Sequence, residues 1–436
     1  MIRMLGITTA LLLLAAASDS DAALLDRSRL PPAEQAHAVY LTLGTVAPER
    51  RRQLFHVLRF VVPSLSSKPY LGDQLPVVVP NSNLLRLDLQ GLGWEKTWQP
   101  VISAHYVPTY RPDLVHTKQI PLVVNGLWFA ASVTDSNVTA DAHYQLLYQG
   151  KPPKTAKEFQ AAWQVNAKSD LFFGRIEGDS GVAVQRTRLV ENHPTGNRGY
   201  SWATFDSRVL AGKTDPLENI TQRPPQHDAS ELIAAIPKHY GGKSGTLQAY
   251  FLADGKGNRQ EKAPADIVTD STGTRGVEIR NTLSCVVCHV EGIRHPTLDT
   301  YRAYITAGAR LYVYDKNTQQ EIDRYLDSPI AKEINRNNED YAAGVELCNG
   351  LSSRENAAAF KAAVQLYDAP LDLEQQAREI YATSANDWRL ALGNYSRTYQ
   401  LSGRLALAAQ GQPISRDQWA ANYHLAQRVW AAWQAN

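Results

Sequence analysis

The sequence predicts an α+β fold, with a mixed N-terminal region containing antiparallel strands and a C-terminal region built mainly from helices. Three observations carry that expectation. Leu85, Leu87 and Leu89 alternate with Arg86 and Asp88, the period of a half-buried strand. The run from Leu247 to Asp270 has the pattern of a hairpin turning at Asp254 to Asn258. From about Thr297 the character becomes helical, and the last segment, Ser415 to Gln434, places Trp419, Tyr423, Ala426, Trp430 and Trp433 in one stripe behind a Ser415/Gln418 cap.

Taken in chain order, the elements begin with an export signal. Arg3 supplies a positive start, and Leu5 to Ala17 is apolar on every face but shorter than the roughly 20 residues a bilayer span needs. Cleavage is expected after Ala17 or after Ala22, and neither point is followed by a cysteine that could carry a lipid. Pro48 then opens a helix in which Leu54, Leu58, Val61 and Val62 recur at helical spacing, expected to pack on a sheet. Trp94 to Ser103 reads as a short helix, and Thr155 to Glu158 as a capping box before Phe159, Ala162 and Trp163. Val182 to Val190 reads as a strand. These elements divide the chain into a signal peptide (1–22), a mixed α/β region (23–225), a hairpin with a chemical motif (226–300) and a helical region (301–436). There is no internal repeat.

Composition narrows the function. The chain has 436 residues, 44% hydrophobic and 20% charged, which excludes disorder and coiled coil. Its 45 Lys and Arg balance 43 Asp and Glu, and no basic run could track a phosphate backbone, so no nucleic-acid partner is expected. No later apolar run approaches membrane-spanning length, so an exported protein, periplasmic in a bacterium with two membranes, is expected.

One motif carries chemistry. Cys285, Val286, Val287, Cys288 and His289 form C-x-x-C-H, the attachment pattern of c-type haem. Two thiols one helical turn apart can add to the two vinyl groups of one porphyrin while the adjacent histidine ligates the iron as proximal ligand. With three cysteines and eleven histidines in the chain, chance supplies this pattern about five times in ten thousand. The competing readings are a disulfide, a dithiol redox pair and half a zinc site. Zinc would need a second pair, and only Cys348 remains; a redox pair leaves His289 unexplained.

The second axial ligand is approached by elimination. Met1 and Met4 leave with the signal, so a mature His/Met cytochrome is excluded and a histidine, a lysine, a tyrosine, water or an open iron remains. A histidine ligand would set the reduction potential below that of His/Met proteins. His295 follows His289 too closely to reach the opposite porphyrin face easily. His193 lies at the end of a strand before a polar loop and His227 follows Pro224-Pro225, so both are candidate distal ligands. Cys348, among Val345, Leu347 and Leu351, reads as a small buried hydrophobe. Gly178-Asp179-Ser180-Gly181 repeats a tetrapeptide of serine proteases without their flanking residues and reads as a turn, as does Asp254 to Asn258, where Lys256 spoils a calcium-loop pattern.

Several of these stretches carry a resemblance. His227-Asp228, LQAYFLADGKGNR from Leu247 to Arg259, Ala263-Pro264, Ile267-Val268 and Ser284 to His289 resemble a group of exported bacterial proteins with a single haem-c motif, described as cytochrome c domain proteins. RLVENH, ending at His193, and Tyr200 to Asp206 resemble the same group, which is matched over roughly residues 180–295. The chain departs from the pattern between Ile236 and Leu247, where an enlarged loop containing His239 is expected. The resemblance implies export and one covalent haem c, and strengthens His193 and His227 as distal candidates; it implies no reaction. The expected function is therefore that of a monohaem c-type cytochrome passing electrons to a redox partner protein that no motif names. A haem enzyme or gas-binding protein with a displaceable distal ligand, and a haem-bearing structural or sensing module of an envelope complex, are the alternatives. Some 300 residues exceed what a simple carrier of about 100 residues needs.

Overall fold

The computed structural model describes residues 19–105, 123–135, 141–166, 172–177, 187–196, 199–206, 227–265, 268–270, 276–294, 315–317, 320, 330–398, 401 and 403–435. Residues 1–18 of the expected signal peptide, the Gly178 to Gly181 tetrapeptide, Val182 to Arg186, Pro224-Pro225, His295 and the start of the helical region near Thr297 lie outside the described residues. The chain enters on α1 (Asp19–Ser28), which cleavage after Ala22 would cut and cleavage after Ala17 would leave whole. After α2 (Pro32–Gln35), β1 (Ala38–Thr42) pairs antiparallel with β3 (Leu84–Asp88) and parallel with β4 (Val123–Asn125), and β2 (Val77–Val78) closes the other edge. The alternation at Leu85 and Leu87 is that of β3, but Leu89 does not continue it. Asp88 accepts a hydrogen bond from Gln90 N at 2.9 Å and caps α4 (Leu89–Leu92), so the carboxylate that should have faced solvent from the strand starts a helix instead.

Proline at its first turn opens α3 (Pro48–Ser64), whose Leu54, Leu58, Val61 and Val62 are buried as their spacing requires. Its main partners are helices rather than the expected sheet. The helix expected from Trp94 begins later, as α5 (Trp98–His105), because Trp94 is held outside it by stacking on Trp98 and by donating from Nε1 to Leu65 O at 3.0 Å. Next come α6 (Gly126–Ser132), capped by Asn125, and α7 (Ala142–Leu147). In α8 (Ala156–Ala162) Thr155 caps the Glu158 amide, while the Glu158 carboxylate accepts from Lys154 N.

The second sheet positions the site. It is an antiparallel meander in the order β10-β9-β8-β7-β6-β5, formed by β5 (Phe172–Glu177), β6 (Thr187–Pro194), β7 (Tyr200–Asp206), β8 (Ala229–Tyr240), β9 (Lys243–Asp254) and β10 (Arg259–Gln260). The stretch expected as an enlarged loop is the tip of a long ribbon: β8 and β9 pair from Ala229↔Asp254 to Tyr240↔Lys243 around Gly241-Gly242, both at positive φ. Two consecutive left-handed residues make the tight turn that a twisted hairpin favours, and glycine takes that conformation without steric cost. At the other end Asp254 accepts from the amides of Lys256 and Asn258, which makes the predicted turn. Lys238 anchors β8 to the N-terminal part, its Nζ donating to Ser66 O, Lys68 O and Gln74 Oε1 at 2.7–2.8 Å.

After the motif-bearing α9 (Leu283–Cys288) the described helices are α10 (Ile330–Asn349), α11 (Ser353–Asp368), α12 (Leu373–Glu379), α13 (Ala385–Thr398), α14 (Gly403–Ala409) and α15 (Arg416–Gln434). In α15 Ser415 and Gln418 form the expected capping box, and Trp419, Tyr423, Ala426 and Trp430 are buried. The expected boundary at 225/226 does not separate two units. It falls inside the second sheet, where β7 pairs with β8, and one apolar core runs from Leu41 through the sheet to Tyr367. A separate core, from Leu371 to Trp430, belongs to α12–α15.

Candidate functional site

The motif is delivered to the sheet by the chain that follows the hairpin. Lys262 bridges Arg280, and Ala263 N donates to Ile279 O at 3.0 Å and Asn281 N to Glu261 O at 3.0 Å, so residues 279–281 run back beside the end of the ribbon. The start of α9 is then pinned by side chains. Arg280 pairs with the buried Asp135 at 3.1 Å, Asn281 donates to the Tyr144 hydroxyl, and Ser284 donates to Asp270 at 2.7 Å. In α9 Cys285 and Cys288 stand three residues apart, hence on one side of a short helix. Both are buried and unlinked.

His289 ends the helix, its amide donating to Cys285 O at 2.8 Å. Its Nδ1 lies 3.0 Å from Gly292 O. A carbonyl can only accept, so Nδ1 carries the proton and Nε2 is the nitrogen able to ligate a metal. The loop that supplies that carbonyl is clamped by Asn338 of α10, which bonds both Ile293 N (2.6 Å) and Ile293 O (2.8 Å). Gly292, at φ 95°, fits beneath it because a Cβ there would lie 2.2 Å from the Asn338 oxygen.

Cys285, Cys288 and His289 line one mainly apolar cavity. Its floor is one face of the second sheet. Val190, Thr204, Glu231 and Leu252 are register partners across β6, β7, β8 and β9, and Trp202 and Ile233 form the next row on the same face. Ala263, Val268, Ile279 and Ile293 extend the apolar wall, and Arg294, whose Nε donates to Cys288 O at 3.3 Å, adds a guanidinium. Glu231 touches the motif: its Oε1 lies 3.5 Å from His289 Nε2, and it accepts a hydrogen bond from the Cys285 thiol. Burial above all, and then the Glu231 charge, hold the Cys285 pKa well above the ordinary thiol range. A dithiol redox pair needs the reverse, an electropositive setting that stabilises the thiolate.

The two distal candidates are not brought to this cavity. The sequence expectation placed His193 at a strand end before a polar loop, where its side chain could project into a pocket; it is the next-to-last residue of β6, and its side chain is buried. Its register partners Ser201, Ala234 and Ala249 fall between the rows that line the cavity, so the twofold side-chain period sends His193 to the opposite face, where it pairs with Glu191 at 3.1 Å. His227 stands edge-on to Phe205, with ring centroids 5.0 Å apart, and is not among the cavity-lining residues. Glu231, Arg294 and Asn338 carry no sequence signal as site residues, because Leu232 to Ile236 is a continuous apolar run and no alternation marks the face that Glu231 takes. Cys348 is fully buried in α10, and burial pushes its thiol up to about 12.

Among the described residues no group of three or more His, Cys, Asp or Glu side chains is arranged to hold a bare metal ion, and no helix is long and apolar enough to cross a membrane. Comparison with protein-family models, curated proteins and solved structures finds no match.

Proposed function

We propose that the chain is an exported monohaem c-type cytochrome, one haem c being held by thioether bonds to Cys285 and Cys288 and ligated by His289, with an electron-transfer role. A single observation supports it best: both motif cysteines and the adjacent histidine, whose Nδ1 is committed to the Gly292 carbonyl, line one mainly apolar cavity. The residues fit the group. The apolar walls would exclude water from a porphyrin, the Gly292 carbonyl orients the imidazole, and Arg294 offers a fork of donors for a carboxylate such as a haem propionate. Bound haem would supply one-electron chemistry, its potential tuned by axial ligation, hydrogen bonding and burial. The chain's part is to hold the ring edge through α9, and to keep the His289 loop rigid through Asn338.

The covalent reading is tested by expressing the chain with haem-c maturation and staining a denaturing gel for haem. Haem should stay on the polypeptide, because thioether bonds survive unfolding, and Cys285→Ser or Cys288→Ser should each strongly lower the yield of normally attached haem. A polypeptide that loses all colour to acidified organic solvent would refute it.

A further inference from the structure

The two points at which the signal can be cut give mature chains that differ by residues 18–22, and residues 19–22 form the first turn of α1. The fold has a place built for Asp19. Its carboxylate accepts a hydrogen bond from the Thr42 hydroxyl at the end of β1, and Arg51 of α3 adds an attractive charge. The Thr42 oxygen is held in turn by Gly44 N, which donates to it at 2.8 Å. Gly44 also leaves room for the approach, since a Cβ there would lie 3.0 Å from Asp19 Oδ2 and 3.1 Å from Thr42 Oγ1. One turn on, Ala23 is fully buried in a cluster with Ala38 and Tyr40 of β1, Leu84 of β3 and Val123 of β4. Asp26 then accepts from the Tyr40 hydroxyl at 2.8 Å and pairs with Arg86 at 2.9 Å.

We propose that the signal is cleaved after Ala17, with Ala15 and Ala17 as the small residues that the peptidase reads, so that residues 19–22 are part of the mature fold and fasten α1 to Thr42. This rests on the export reading and specifies its processing point. The peptidase meets the chain before it folds, so the fold does not direct the cut; it shows which product is completed by its own N-terminal segment. A chain beginning at Ala23 would lose the Asp19 contact and place its α-ammonium on a residue with no exposure, where an unpaired charge is costly. It would also lose Asp19 and Asp21, whose charges suit the positive end of the helix. A chain beginning at Ser18 keeps the whole of α1 and starts one residue before it.

The test expresses the full chain with its own signal and determines the N-terminus of the exported protein by intact mass and N-terminal sequencing. Ser18 is the expected first residue. Ala23 in that place would overturn the proposal while leaving export intact, and a chain that keeps Met1 would overturn the export reading along with it. A second measurement is independent of the peptidase. Two otherwise identical chains, beginning at Ser18 and at Ala23 behind an exchanged signal, are unfolded in urea. The shorter is expected to have the lower midpoint, and Thr42→Val, which removes the hydroxyl that holds Asp19, to lower the midpoint of the longer chain by more than that of the shorter. Equal midpoints for the two chains, or an equal effect of Thr42→Val on both, would also overturn it.

Discussion

His143 and Lys238 are buried bases held in opposite ways. The three donors of Lys238 match three acceptors, so although burial pulls its pKa down to about 7, the third proton has a defined partner. Neither ring nitrogen of His143 has a hydrogen-bond partner among the described residues, and burial, reinforced by Arg259, lowers its pKa to about 3. Between that value and the ordinary 6.5 the unfolded chain binds a proton that the folded chain does not. Folding stability contributed by this site is therefore complete above about pH 6.5 and falls as the pH drops towards 3. His143→Leu should leave stability at pH 7 unchanged or raised, since it removes two unpartnered polar atoms, and should flatten the acid limb of the stability curve; urea melts across that range would show it. The same unmatched burial could not be read from the sequence, where His143 is one histidine of eleven. The motif residues could be read, because C-x-x-C-H is a local pattern whose chemistry needs only one helical turn.

The crossing of α10 over β9 shows how an element can be recognisable and its placement not. Gly344 of α10 meets the backbone of Thr246, and Gly245 of β9 meets the backbone of Gly344; a Cβ on Gly344 would lie 2.1 Å from Thr246 O. Helix and strand approach so closely only because both residues lack side chains. Gly344→Ala is expected to destabilise the protein by about 2–3 kcal/mol, at the upper end of what overpacking costs, measured as a lower urea midpoint. Since α10 also carries Asn338, which clamps the His289 loop, the spectrum of the haem proposed to bind at His289 should broaden or shift in that variant as well. The β8–β9 ribbon makes the same point. Its glycine-rich tip read as an enlarged loop because the local sequence does not say whether two flanking runs pair; the pairing of twelve residues on each side settles it.

Among the described residues the buried apolar side chains form two large cores and two small clusters, one of which, Ala229, Leu252, Ala263, Val268 and Ile279, borders the cavity. The larger core joins the first sheet, the second sheet, α3, α10 and α11, and the smaller core closes α12–α15 around Trp388 and Trp419. At the centre of the smaller core Glu379, with a fully buried side chain, accepts two bonds from Arg416 (2.7 and 2.8 Å) and one from Trp419 Nε1 (2.8 Å). Glu379→Ala leaves a buried guanidinium without its partner, a change that costs about 3–5 kcal/mol. Hydrogen exchange should then show loss of protection in Arg416–Gln434 with α9 still protected. The α+β class, the caps at Thr155 and Ser415, the Asp254 turn and the C-x-x-C-H motif were all legible in the chain, because each depends on residues within a few positions of one another. The division into cores, the course of β6 past His193 and the place of Glu231 beside His289 were not. They depend on which strands pair and in what register, and since side chains alternate faces along a strand, only the assembled sheet decides which residue reaches the cavity and which is turned away from it.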